Sequence, residues 1–435
     1  MNRHHLPPRA AIAAAAALAV VAAAAPTASA APQTPARPDH RGGGTLILVG
    51  GGLKDDNTEI YHEIITKAGG AGRARIGVLT AASVPESQDP DAADPDRCSN
   101  SVCNGRYYAD LFRRHGAADA QWIPIDIEHV DAADSDAVVA RVNAMTGFFF
   151  GGGDQYRYIT GLLHGDAHTD SKVLAAIRAK LRAGAVVAGS SAGAQIASGP
   201  DMVSGGDSYP ALRDGSTPGY FEDPGRLGYI PEGGFGFFGS GLIDTHTGTY
   251  GREGRAIRLA ADTGHTRVFA LDENTALEVE HAGSADESLR VLGTHGVSVF
   301  DLRRARTGTT GGRWTIEGVR YSYLTDGDRY DARTWHTEPA DGKKPLTPSP
   351  QNTVPANHDV FHSVDDPDGT PYSFSGTARA LTAADRRTAT ATTFETGPAF
   401  EITFRKRGDS RAWSADGTTA ASFSDLDVRI APATD

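Results

Sequence analysis

The sequence predicts an α/β protein with a mostly parallel sheet, followed by a small β-rich C-terminal extension. Three observations predict it. Short β-branched or aromatic runs alternate with helical patterns from residue 45 to residue 188, which is how strands joined by crossover helices read. One of those runs ends in a serine bracketed by glycines, Gly189-Ser190-Ser191-Ala192-Gly193, the G-x-S-x-G pattern of a strand that turns sharply into a helix. From residue 267 the pattern changes to hairpin-like strands, and Phe400-Glu401-Ile402-Thr403-Phe404 alternates apolar and polar near the end.

The elements follow in order. Residues 1–30 read as a signal peptide: Arg3 and Arg9, an alanine-rich apolar run over 10–25, then Ala28-Ser29-Ala30 as an A-x-A site, so export with cleavage near Ala30 is expected. Residues 31–43 form a Pro/Arg/Gly linker, and no later stretch is apolar enough to span a bilayer. Thr45-Leu46-Ile47-Leu48-Val49 is the first strand and ends in Gly50-Gly51-Gly52. A helix over 58–68 with Asn57 as cap follows, then a strand at 76–79. Cys98 and Cys103 sit close together in an Asp- and Pro-rich insertion and read as a local disulfide of an exported protein. Further on the sequence predicts a helix at 107–115, a strand at 122–125, a helix at 138–145, a strand at 148–150, a helix at 171–183 and the elbow strand at 185–188. Residues 199–238 are glycine-rich and read as an irregular, pocket-shaping loop, and a helix is expected over 251–261. The α/β domain is drawn at 44–302 and the extension at 303–435, with 341–350 as a linker inside it.

The formal charge is −12, and removing the leader takes away two arginines and no acid, giving −14. An acidic chain of this kind argues against nucleic acid or an anionic membrane as partner. Residues His164 and His168 with Asp166 and Asp170 mimic a metal site, but the loop lacks helical register and reads as solvated surface. No metal or other cofactor is expected. Gly50-Gly51-Gly52 lacks the G-x-G-x-x-G spacing of a dinucleotide site.

A serine needs a base, an orienting acid and an oxyanion hole. His246, in Asp244-Thr245-His246 just before a helix, is the candidate base for Ser191. Asp207 is the candidate acid, giving the order Ser, acid, His; Asp201 is the runner-up, and Asp244 could steady the base locally. Phe150-Gly151-Gly152-Gly153-Asp154-Gln155 opens a strand into three glycines whose N–H groups could face an oxyanion together with the N–H of Ala192. Gln155 could hold a substrate amide or carboxylate. Arg252 and Arg255, one turn apart, suit bidentate capture of a substrate carboxylate.

Together these motifs resemble the cyanophycinase and aspartyl-dipeptidase family of serine peptidases, exported members included. The resemblance covers 44–302 and rests on Gly50-Gly51-Gly52, Phe150-x-Gly152-Gly153-Asp154-Gln155, Gly189-Ser190-Ser191-Ala192-Gly193-Ala194, Asp244-x-His246, Arg252-x-x-Arg255 and Asp272-Glu273-x-Thr275-Ala276. It implies a flavodoxin-like, class I glutamine-amidotransferase-like fold with helices on both faces of the sheet. It further implies metal-free hydrolysis of multi-L-arginyl-poly-L-aspartate to β-aspartyl-arginine dipeptides. By position it implies Ser191 as nucleophile, His246 as base, Gly153 and Ala192 as oxyanion hole, and Gln155, Arg252 and Arg255 as substrate-binding residues. Asp207 falls near the family's acidic residue, which looks like glutamate in cyanophycinases. Thr247 stands where the family carries an aromatic after the histidine, and Tyr250 where a basic residue is expected before Arg252. The rival readings are a lipase- or esterase-like hydrolase and a secreted binding protein whose catalytic apparatus has decayed. A glutamine amidotransferase would need cysteine at the elbow. The expected partner is a peptide or cyanophycin-like polymer, and a homodimer stays open.

Overall fold

The computed structural model describes residues 43–433. The signal peptide read at 1–30 and the linker read at 31–43, save Gly43, lie outside the described residues. Five parallel strands form one side of a sheet, in the spatial order, from its edge, Asp119–Trp122, Arg75–Leu79, Gly147–Phe150, Val186–Ser190, Thr45–Val49. Four antiparallel strands continue it beyond Thr45–Val49: Thr275–Glu280, Ser288–Gly293, Arg329–Asp331 and His336–Glu338.

The central strands are apolar on both faces because helices cover both. Leu46, Leu48, Phe148 and Phe150 pack with Ile159, Leu174 and Ile177 on one side. Their neighbours Ile47, Val49, Phe149, Ile76 and Val78 pack with Ile60, Ile64 and Phe112 on the other. Period-two alternation therefore sorts each run into two cores rather than into core and solvent. The helix Thr58–Lys67 starts as expected: the Asn57 side chain accepts from the Ile60 N–H, and Ile60, Tyr61, Ile64 and Ile65 form its buried stripe.

Several expected boundaries move. The helix expected at 107–115 begins at Ser101, because Asn100 caps it by accepting from the Val102 and Cys103 N–H groups. Cys98 and Cys103 stand at disulfide distance with Cα atoms 6.1 Å apart, at the start of that helix. The strand expected at 122–125 is Asp119–Trp122, in register with Ile76 opposite Ala120. The glycine-rich stretch 199–238 carries a small sheet of Met202–Gly205, Leu227–Ile230 and Ser216–Pro218 and the helix Ser208–Asp214, so it is a built wall rather than an irregular loop.

The division at 302/303 does not separate two bodies. The second large sheet runs Leu242–Asp244, Arg267–Leu271, Gly296–Asp301, Arg313–Thr325, Ser422–Pro432, Phe400–Arg405, Thr388–Thr392, crossing that boundary where Gly296–Asp301 pairs antiparallel with Arg313–Thr325. Ile257 and Phe300 from before it share a core with Tyr321, Phe374 and Phe423 from after it. Composition alone drew the line; apolar residues alternating along Arg313–Thr325 erase it. The linker expected at 341–350 also takes part, since Lys344–Pro345 pairs with Trp413 and Ser414.

Candidate active site

Ser191 stands at the end of the strand Val186–Ser190, between Thr45–Val49 and Gly147–Phe150. Its backbone takes φ 56° and ψ −120° before the helix Ala192–Gln195 begins. A non-glycine residue in so rare a conformation costs about 1–3 kcal/mol and persists only where its surroundings impose it. Here they do. A Cβ on Gly189 would sit 2.1 Å from the Gly193 carbonyl oxygen, and one on Gly193 would sit 2.0 Å from the Phe150 oxygen. Both bracketing glycines are therefore required by close approach, and the turn they permit leaves the Ser191 side chain half-buried at the floor of a cleft.

His246 follows the strand Leu242–Asp244 and also has positive φ, 56°. Its N–H donates to the Gly50 oxygen at 2.7 Å. Its ring lies against Gly51, where a Cβ would stand 2.2 Å from Cε1, so the first glycine turn serves to admit the imidazole. Nε2 lies 2.7 Å from Ser191 Oγ, and Nδ1 lies 2.6 Å from Glu273 Oε1. With Glu273 an acceptor, these contacts place the ring proton on Nδ1 and the lone pair of Nε2 toward the serine. Burial pulls the imidazole below its ordinary pKa. The Glu273 hydrogen bond opposes that, and the charge of Arg252 adds to it. The ring is thus neutral at neutral pH and able to accept a proton.

The carboxylate behind the histidine is therefore Glu273, which corrects the expectation of Asp207. Asp207 starts the helix Ser208–Asp214, with its N–H bonded to the Pro224 oxygen. The carboxylates of the other two candidates are occupied. Asp201 meets His265 at 2.8 Å, and Asp244 holds Arg255. Glu273 lay in the sequence inside Asp272-Glu273-x-Thr275-Ala276, directly after the strand Arg267–Leu271; that position was the signal available. Its neighbour Asp272 is buried and accepts from the Gly248 N–H at 2.9 Å and the Tyr323 hydroxyl at 2.7 Å. Burial pushes the Asp272 carboxyl up to about 6. The extension braces the same loop elsewhere: the Tyr372 N–H donates to the Gly248 oxygen at 2.6 Å, and His362 Nδ1 meets the Thr249 oxygen at 2.7 Å.

The remaining predicted residues gather around Ser191. Gly153, Gln155, Ala192, Arg252 and Arg255 line one cleft of about 250 Å³ with Ser191 and His246. Gly153 has φ 136°, and a Cβ there would meet the Ala82 oxygen at 2.3 Å. Ala192 is the first residue of its helix, where N–H groups have no intrahelical acceptor. Among the described residues neither the Gly153 nor the Ala192 N–H has a backbone or side-chain acceptor. Gln155 spends its amide N–H on the Val203 oxygen at 3.0 Å and keeps its own oxygen for the cleft.

The two arginines differ in kind. Arg255 is buried and forked onto Asp244, with Nε at 2.8 Å and Nη2 at 2.6 Å from its two oxygens. Its Nη1 donates to the Gly206 oxygen at 2.6 Å. All three guanidinium nitrogens are engaged, so Arg255 is a strut rather than the free substrate grip expected of it. Arg252 donates Nη1 to the Thr245 oxygen at 2.9 Å, leaves Nε without a partner and pairs with no carboxylate among the described residues. Burial, then the charge of Arg255, depress its pKa to about 10, against the opposing pull of Asp244 and Asp207. Tyr250 lies over both, its ring 5.1 Å from that of His246 and 4.9 Å from the Arg252 guanidinium carbon. Thr247 points elsewhere: it is fully buried and absent from the cleft lining. Among the described residues no group of three or more His, Cys, Asp or Glu could hold a metal ion, and His164 pairs with Asp134 instead.

A serine held in an elbow, an imidazole on its oxygen and a carboxylate on the far ring nitrogen define a hydrolase-type site. Comparison with known sequences agrees in class. Residues 106–285 match the family described as Peptidase family S51. The chain is 30% identical over 296 residues to cyanophycinase of Nostoc sp., covering 66% of this chain and 85% of that protein. It is 28% identical over 303 residues to cyanophycinase of Synechococcus elongatus, covering 68% and 81%. A solved peptidase from an acI-B1 Actinobacterium superposes with a TM-score of 0.43 at 18% identity, over 67% of this chain and 98% of its own. The protein is a peptidase, and it belongs to peptidase family S51, with cyanophycinases among its relatives.

Proposed function

We propose that the protein is an exported serine peptidase that hydrolyses multi-L-arginyl-poly-L-aspartate to β-aspartyl-arginine dipeptides through an acyl-enzyme. The observation that carries this reading is the chain of contacts from Ser191 through His246 to Glu273, 2.7 Å and 2.6 Å long. His246 Nε2 takes the Ser191 proton as Oγ attacks the scissile carbonyl, and Glu273 stabilises the imidazolium that forms. The Gly153 and Ala192 N–H groups receive the oxyanion, each worth about 3–4 kcal/mol of transition-state stabilisation. As the tetrahedral intermediate collapses, the imidazolium gives its proton to the leaving amine. Water, deprotonated by the same nitrogen, then attacks the ester, and the proton returns to Ser191 Oγ as the acid product leaves. Arg252 holds a substrate carboxylate.

The substrate rests on the cyanophycinase relatives and on Arg252, which lines the cleft and forms no close ion pair with a carboxylate among the described residues. The strand order, reversing direction between Arg75–Leu79 and Gly147–Phe150, supports a flavodoxin-like arrangement. Incubating the purified protein with cyanophycin should release β-aspartyl-arginine detectable by mass spectrometry, and Ser191→Ala should release none. Hydrolysis by the alanine variant at near wild-type rate sinks the mechanism. Export rests on the leader, and the mature chain is expected to begin at Ala31 by N-terminal sequencing; an intact Met1 on protein recovered from the medium overturns it.

A further inference from the structure

A second cavity, of about 460 Å³, shares Gly153 with the Ser191 cleft and otherwise has its own walls. Ser83, Asn104, Tyr107, Tyr108, Gly152 and Arg157 belong to them. The cavity opens where the chain leaves the strands Arg75–Leu79 and Gly147–Phe150, the neighbouring pair between which the winding of the parallel sheet reverses. Open α/β sheets bind ligands at the carboxyl ends of strands at such a reversal. The nucleophile is close to this wall, since a Cβ on Gly152 would stand 3.4 Å from Ser191 Cβ.

The charge in this cavity points one way. No Asp or Glu lines it, although the whole chain carries a formal −12. Arg157 is half-buried in it, donates Nη1 to the Ala82 oxygen at 2.8 Å and pairs with no carboxylate among the described residues. At the rim the exposed Tyr107 ring has its hydroxyl bonded to Asp55, which offers a π face beside a carboxylate. Ser191 thus lines one cavity and lies behind the Gly152 wall of the other, and each holds one guanidinium that forms no close ion pair with a carboxylate among the described residues: Arg252 in the first, Arg157 in the second.

We infer that the second cavity is a carboxylate-binding subsite that takes the neighbouring unit of an extended peptide, with Arg157 as its anchor. The scissile amide then has a unit with a free carboxylate on each side. Where that unit also carries a guanidinium, the Tyr107 face and Asp55 receive it. This inference rests on the peptidase reading above and adds a second grip to it.

The test is protection of Ser191 from a fluorophosphonate probe by β-aspartyl-arginine and by the peptide of two such units. A forked, charge-assisted contact predicts that the longer peptide protects at about tenfold lower concentration. Arg157→Gln should bring that ratio close to one, and Arg157→Lys should restore part of it. The shorter peptide serves as internal control within each variant, so a general loss of fold cannot imitate the result. A ratio that survives Arg157→Gln, or that is near one in the wild type while both peptides protect, overturns the subsite and leaves the peptidase reading standing. Failure of both peptides to protect the wild type removes the substrate class and the subsite together.

Discussion

Glu273→Gln is the substitution that most directly probes the site. The variant keeps the side-chain length and a polar contact with His246 Nδ1 but replaces an acceptor-only carboxylate by an amide that can donate. An amide donating to Nδ1 puts the ring proton on Nε2, where it faces Ser191 Oγ across 2.7 Å and blocks proton acceptance. The charge is lost as well: an imidazolium and a carboxylate about 4 Å apart interact by about 4 kcal/mol at an effective dielectric near 20. At about 1.4 kcal/mol per decade that is roughly a 10³-fold loss in kcat, and the tautomer penalty brings it toward about 10⁴. The pH profile moves too. His246 already titrates below the ordinary 6.5 because it is buried, and Glu273 opposes that depression. The acid limb of wild-type kcat/KM should therefore lie below 6.5. Removing the anion should move it lower still, because the protonated ring loses its partner. The assay is dipeptide release across pH 4–9, with Asp207→Asn alongside. More than a tenth of wild-type activity in Glu273→Gln, or a larger loss in Asp207→Asn, refutes the assignment of the acid.

Other outcomes follow from close packing and burial. Gly193→Ala forces a Cβ to within 2.0 Å of the Phe150 oxygen, so it should destabilise the fold by at least about 1–3 kcal/mol and abolish fluorophosphonate labelling. Wild-type labelling in that variant contradicts the steric account. Arg255→Ala leaves Asp244 buried without its fork, and a loss of about 3–5 kcal/mol should appear in the denaturant midpoint. Arg252→Ala removes a cation with no carboxylate partner, so it should raise KM with little change in that midpoint. If Arg255→Ala instead raises KM at unchanged stability, the strut and the grip have been exchanged.

What the sequence determined by itself is what depends on near neighbours along the chain. The need for glycine at 189 is local, set by the Gly193 oxygen four residues on, whereas glycine at 193 answers to the Phe150 oxygen of the neighbouring strand. The Asn57 cap depends on a donor three residues away, and the alternating strands carry their two faces within five residues. The serine and histidine were legible for the same reason, each marked by an abrupt change of backbone direction. The tertiary structure alone decided which carboxylate serves His246, because Asp244 lies two residues away yet is taken by Arg255, Asp201 is taken by His265, and only Glu273 is brought to the ring. It also decided that Arg255 is a strut forked onto a carboxylate while Arg252 forms no such pair, although the two are one turn apart on the same segment. Nor could composition place residues after 302, which complete a shared core and brace the loop bearing the histidine. A charge or an apolar face acquires its role from what lies within a few ångströms through space, and that distance is set only once distant strands have paired.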